Sequence, residues 1–195
     1  MKTLLVLFGI LLLLGVLVVG IYNGLVTLRN AFRNAFAQVD VQLKRRHDLI
    51  PNLVETAKGY MAHERQTLEA VIAARASATQ ANIRVSANPG DAAAVSALAQ
   101  AESGLTSALG RLLAVAENYP QLKADTTMRS LMEELTSTEN RLAFARQAFN
   151  DAVLAYNNRR ETFPAVLLAG ALGFQAGEFL RIENDAERQA PKVGF

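Results

Sequence analysis

An uncharged apolar run bounded by Leu4 and Ile21 passes without a break into an amphipathic segment whose apolar residues recur at three and four. Eighteen residues or so of helix at about 1.5 Å each span roughly 27 Å, just enough for the hydrocarbon core of a bilayer. A single spanning helix over residues 4–21 is the first reading, with Tyr22 where an interfacial aromatic belongs. The rival is a cleaved signal peptide, because one positive residue, Lys2, precedes the run and Gly15 and Gly20 lie near its end. The run is long for a signal core and no clean Ala-x-Ala follows. Lys2 on one side and Arg29 and Arg33 on the other leave the orientation open. A lone Gly20-x-x-x-Gly24 match at the end of a span is best explained by chance.

Past the run, the spacing of Leu25, Leu28, Phe32, Ala35, Val39 and Leu43 is helical, and only Gly24 interrupts it. The spanning helix is therefore expected to continue into the folded body. Composition agrees with helices packed on small side chains, being 51% hydrophobic and 7% aromatic. The net charge of +2 includes Lys2, so the remainder is nearly balanced and offers no basic footprint for nucleic acid. Without cysteine, disulfides and thiolate chemistry are excluded.

Pro51 costs about 3 kcal/mol inside a helix but nothing in a first turn. The expected arrangement is a helix ending near Arg46 and a second one starting near Asp48, which caps it; a kinked continuous rod is the alternative. The second helix shows Leu53, Ala57, Tyr60, Leu68 and Val71 on one stripe and fades towards Val85. A turn through Asn88, Pro89, Gly90 and Asp91 follows, with Asp91 as the next cap. The third stripe is Val95, Leu98, Glu102, Leu105, Leu109, Leu112, Ala116 and Tyr119, stopped by Pro120. The fourth is the most regular, a coiled-coil-like seam of Met128, Leu131, Leu135, Thr138, Leu142, Ala145, Phe149, Ala152 and Tyr156. These patterns predict an all-α chain: a transmembrane helix over 1–22 continuing into a long antiparallel, up-and-down four-helix bundle over 23–163. Residues 164–195 form an apolar segment and a mixed, less ordered tail. The apolar stretch 165–174 is too short to cross a bilayer and must pack on the bundle, lie at an interface or meet another subunit.

Candidate chemistry is sparse. A di-iron bundle wants Glu three residues before His, but Tyr60 precedes His63 and Lys44 precedes His47. His63-Glu64 opens like a zinc-protease motif, yet position 67 is Thr67. No metal, cofactor or catalytic residue is assigned, no small-molecule substrate is evident, and the chain reads as a non-enzyme. Glu102 and Thr138 interrupt apolar stripes and are expected at stripe edges, bonding locally, rather than as a buried pair. Lys44, Arg45 and Arg46, about 22 residues or roughly 33 Å past the membrane surface, are too far away to bind it. As cations in a last helical turn they suit the dipole, with Asp40 and Lys44 as an i,i+4 pair, and a partner protein at the far end of the bundle is their functional reading. Leu167, Leu168 and Phe174 are the other candidate partner contacts.

Several strings carry a resemblance. They include Tyr22-Asn-x-Leu-Val26, residues 38–56 (QVDVQLKRRHDLIPNLVET), Lys58-Gly-Tyr60, Glu117-Asn-Tyr-Pro-x-Leu-Lys-Ala124, Thr138-Glu-Asn-Arg141, Tyr156-Asn157, Phe163-Pro164, Gly173-Phe174 and Pro191-x-Val-x-Phe195. Together they resemble the bacterial LemA family over nearly the whole length. Phe36-Ala37 stands where that family commonly has Trp-Ser, an aromatic exchange on a core face. The resemblance implies a single-pass protein of the bacterial inner membrane with a helical bundle and no established activity. One branch of the family is linked to building a membrane compartment, which implies a scaffold role by analogy. Partners would then be the bilayer through residues 4–21 and either a second copy or other membrane proteins. The competing reading is a ligand-binding or sensor module with a pocket between bundle helices, near Glu102 or behind the tail.

Overall fold

The computed structural model describes residues 1–181; the 191–195 motif lies outside them. All regular structure among the described residues is helical. The elements are α1 (Lys2–Lys58), α2 (Arg65–Ala87), α3 (Ala92–Ala116), the short α4 (Pro120–Ala124), α5 (Thr126–Glu161) and the single turn α6 (Val166–Ala169).

The expectation of two helices meeting between Arg46 and Asp48 is corrected: α1 runs through Pro51, and the reversal comes at residues 59–64. Asp48 caps nothing, and Tyr60 lies outside a helix and is exposed. The reason lies one turn before the proline. Proline has no N–H to offer the carbonyl four residues back, so His47 O has no helical partner. Arg75 on α2 fills the vacancy, its Nε donating to His47 O at 2.6 Å. Pro51 itself faces water, so its ring displaces no core side chain. Met61, fully buried, plugs the turn that follows.

At about 1.5 Å per residue, the 57 residues of α1 make a rod about 86 Å long. Its apolar residues from Leu4 to Leu14 are half or more exposed, while Ile21 is 3% exposed and Leu25 fully buried. The folded body therefore begins at Ile21. Pairings along α1 run in opposite sense to α5: Phe36 meets Phe149 at 5.6 Å and Phe32 meets Tyr156 at 5.2 Å, both edge to face. They also run opposite to α2, where Asp40 accepts from Asn82 Nδ2 at 2.7 Å and Ser86 Oγ at 2.8 Å. α2 packs along α3, joined by the 88–91 turn in which Asp91 caps α3 through Ala93 N and Ala94 N as expected. Asp125 caps α5 in the same way, accepting from Met128 N at 2.8 Å. By contrast, the backbones of α3 and α5 make no more than a glancing approach.

The 165–174 stretch folds back on the body, with Ala165, Ala169 and Phe174 buried in the core. The first part of the tail is better fixed than its composition suggests. The Asn157 side-chain amide bonds both backbone groups of Gly177 at 2.8 Å, and Asn150 does the same for Leu180. A Cβ on Gly177 would meet Val153 Cγ1 at 3.2 Å, so the tail lies this close because it carries no side chain there.

The proline and the arginine should be energetically coupled. Arg75→Ala leaves a buried carbonyl unpaired and is expected to cost about 1–3 kcal/mol in urea unfolding of the detergent-solubilised chain. In a Pro51→Ala background the helix can satisfy His47 O itself, so the same substitution should cost markedly less. Equal costs in both backgrounds would refute the coupling.

Candidate functional site

Two apolar clusters fill the body. One takes α1 from Ile21 to Leu43, the ends of α2 and α3 nearest their shared turn, and α5 from Leu142 onward. The other takes α1 from Leu49 to Ala57, the opposite parts of α2 and α3, and α5 from Met128 to Leu135. Between them lies a polar layer with contributions from all four long helices.

Arg46, 1% exposed, donates through Nη1 to Glu102 Oε2 and through Nη2 to Thr106 Oγ1 at 2.8 Å, while its Nε lies 2.6 Å from Glu139 Oε1. The other oxygen of Glu102, a residue with no exposure, lies 2.8 Å from His47 Nε2. Thr79 Oγ1 stands 3.3 Å from His47 Nδ1. The His47 ring thus bridges Thr79 on α2 and Glu102 on α3 through its two nitrogens. The arrangement sets the Arg46 guanidinium between two carboxylates, one of them deeply buried. Burial of an isolated charge costs far more than its pairing returns, so each of these side chains depends on the others.

The expectation for Glu102 and Thr138 is half right. Both are buried rather than at a stripe's edge. Thr138 bonds locally, donating to Glu134 O at 2.8 Å, whereas Glu102 pairs with α1. A carboxylate at 102 on an apolar stripe was visible in the sequence, but its partners, 55 and 56 residues away, were not.

The cluster of cations splits. It sits mid-helix rather than in a last turn, because α1 does not end there, so the dipole argument lapses. Lys44 pairs with Asp40 at 2.7 Å as expected, and exposed Arg45 reaches Glu134 on α5 at 2.7 Å. Arg46 is turned into the polar layer and is withdrawn from any partner surface. Phe174, 2% exposed, is likewise internal, meeting the Tyr22 ring at 5.4 Å with the Arg29 guanidinium 5.0 Å from its centroid. Leu168 is half-buried against the core, and Leu167 is 70% exposed.

The polar layer reaches the surface between α3 and α5. There a groove of roughly 370 Å³ has Arg46, Thr106, Glu139 and Asn140 at its polar end. Its apolar part, Leu113 and Met132, continues into a neighbouring hollow of roughly 410 Å³ with Ala116, Leu122 and Met128. Among the described residues no group of three or more His, Asp or Glu side chains is placed to hold a metal.

Among the described residues a mostly helical body follows one helix long and apolar enough to cross a membrane, the make-up of a membrane-associated helical protein. Residues 35–195 match the LemA family, and the chain belongs to it. It is similar to the magnetosome protein MamQ of Magnetospirillum gryphiswaldense, 29% identical over 173 residues that cover 81% of this chain and 64% of the relative. It is also similar to magnetosome protein MamQ 2 of Paramagnetospirillum magneticum, 27% identical over 175 residues, 82% of this chain and 64% of that one. The chain thus spans just under two thirds of the length of the curated relatives it matches.

Glu102→Leu leaves Arg46 with the half-exposed Glu139 as its only carboxylate and is expected to cost about 3–5 kcal/mol, whereas Arg46→Met combined with Glu102→Leu should recover most of that loss. Denaturant unfolding of the three proteins decides it, and a double variant no better than the single one would rule out the charge-burial account.

Asp40 supplies a pH prediction. Burial alone would raise its carboxyl, but hydrogen bonds from Lys44, Ser86 and Asn82 outweigh it and hold the group below its ordinary value. A lowered folded value means that the stabilisation is present above the unfolded carboxylate range near about 4 and is lost as pH falls through the folded value. Thermal melts should therefore show a smaller drop on acidification for Asp40→Asn than for the parent chain; parallel pH profiles would contradict it.

Proposed function

We propose that this chain is a scaffold of the bacterial inner membrane that builds assemblies with itself or with other membrane proteins. The observation that supports it best is the open seam between α3 and α5. In an antiparallel, up-and-down bundle these two long helices would close on each other. Here an apolar strip with Leu113, Met128 and Met132 lies in the gap, bordered by Glu117, Lys123, Arg129 and Glu133. An amphipathic helix laid into such a groove buries its apolar face and completes the bundle. Methionine side chains adapt their shape to the helix they receive.

The unbroken α1 strengthens this reading, because a body fixed to a continuous rod keeps its height and orientation above the membrane. That rigidity serves assembly, where geometry must repeat from one copy to the next. The relatives' name, magnetosome protein, agrees with a role at a membrane compartment.

A second reading is favoured by the polar end of the groove, where Glu139 and Asn140 line the opening and the buried Arg46 lies behind them at its floor. A small ligand bearing both charge signs or an amide would fit there, making the body a membrane-tethered sensor.

The test is the mass of the particle. Full-length protein extracted in mild detergent should run as an oligomer or co-purify with a membrane partner captured by in-membrane crosslinking, and Met132→Glu, placed in the seam, should abolish the association while keeping helical content. A monomer that crosslinks to nothing defeats the scaffold reading. Assembly unaffected by Met132→Glu removes the seam from it.

A further inference from the structure

Three features set the height of the α5–α6 corner relative to the bilayer. Arg159, in the last turn of α5, lies beside Gly24: a Cβ on that glycine would meet its Nε at 3.7 Å. Because α5 runs antiparallel to α1, its remaining residues to Glu161 point further towards the amino terminus of α1. The chain then turns through α6 and returns to set Phe174 edge to face against Tyr22. The corner between them therefore sits level with the last residues of the apolar run.

The corner is apolar and open. Phe163 is 78% exposed, Leu167 70% and Val166 49%, while their neighbours Ala165 and Ala169 are buried beneath them. At its rim Arg160 pairs with Glu161 at 3.4 Å and Arg159 adds one further cation, so the apolar face is bordered by a small positive excess.

Length decides what covers it. Ile21 belongs to the core and the charge of Lys2 closes the apolar run at its other end, which leaves residues 3–20 to lie in lipid, where about 20 helical residues are needed to cross the hydrocarbon core. No spare turn of helix remains to hold the body away from the lipid. Seating the anchor brings the corner against the membrane, where three large apolar side chains gain by leaving water.

We propose that Phe163, Val166 and Leu167 form a second lipid contact, a wedge that enters the interfacial region of the leaflet from which α1 emerges. The body then stands on two feet, the anchor helix and the corner, which fixes its rotation about α1 as well as its height. This rests on the anchor reading of residues 4–21.

The chain has no tryptophan, so single-tryptophan variants report one site each. Full-length Leu11→Trp, Leu167→Trp and Phe144→Trp proteins are reconstituted into phosphatidylcholine vesicles with and without bromine in the upper acyl chains. Leu11→Trp reads the anchor; Phe144→Trp, at a side chain 75% exposed on the middle of α5, reads the body away from lipid. The proposal expects blue-shifted emission and strong loss of signal on bromination for Leu11→Trp and Leu167→Trp, with neither for Phe144→Trp; Phe163→Trp should repeat the Leu167→Trp result. Quenching of Leu11→Trp without quenching of Leu167→Trp overturns the wedge and leaves the anchor standing. If neither is quenched, the anchor reading fails and takes the wedge with it. A blue-shifted but unquenched Leu167→Trp assigns the corner to protein contact, and a quenched Phe144→Trp means that the body lies flat, so either result overturns the proposal.

Discussion

The burial of Arg46 against Glu102 is the interaction on which the rest of the body's geometry depends. Both side chains are withdrawn from water, and neither is tolerable there without the other. An apolar core accepts slippage by a helical turn at modest cost, because one leucine replaces another. A buried guanidinium does not. With His47 and Thr79 on one side and Thr106 and Glu139 on the other, the pair admits one alignment of α1, α2, α3 and α5. The two apolar clusters above and below this layer supply the bulk of the burial, and the layer between them supplies the register.

That alignment needs α1 to be a single helix, since Arg46 and His47 precede Pro51 and Leu53, Val54 and Ala57 of the other cluster follow it. The proline would break such a helix by leaving His47 O unpaired, and Arg75 prevents this from the neighbouring helix. One residue thus serves both needs: His47 gives its ring to Glu102 and its carbonyl to Arg75. The layer and the continuity of the rod are two sides of the same small set of bonds. A helix interrupted at Arg46 would leave the guanidinium at a fraying end instead of in a rigid wall.

Whatever could be read locally was legible in the sequence. The periodicity of the third and fourth stripes placed α3 and α5, Asp91 announced its cap, and residues 4–21 stood out as the one span of bilayer length. The break at Pro51 was misread because proline's missing N–H is a local fact, whereas its remedy, Arg75, lies 28 residues away on another helix. Glu102 suffered the same fate: its environment is supplied by α1, and no window around residue 102 contains it. Asn150 and Asn157 look like ordinary exposed amides on a helix until the tail returns along α5 to be gripped by them. Periodicity reports which face of a helix is apolar. It does not report which polar group waits opposite, and in this chain the polar groups decide the arrangement.

The same reasoning says where the body yields most readily. Around α1 the helices are tied by aromatic pairs, by Asp40 and by the buried layer. Across the α3–α5 side the tie is different in kind: Glu139, whose side chain is 41% exposed, reaches Arg46 at the floor of a groove open to water. An ion pair with one member in solvent is screened and contributes little. With the α3 and α5 backbones only glancing neighbours and a groove already open between them, that side is the low-cost direction of motion. The opposite side, where α1 packs on both α2 and α5, is the stiff one. In the proposed assembly a partner entering from the seam meets the face able to adjust, while the continuous α1 and the proposed corner contact hold the body's orientation.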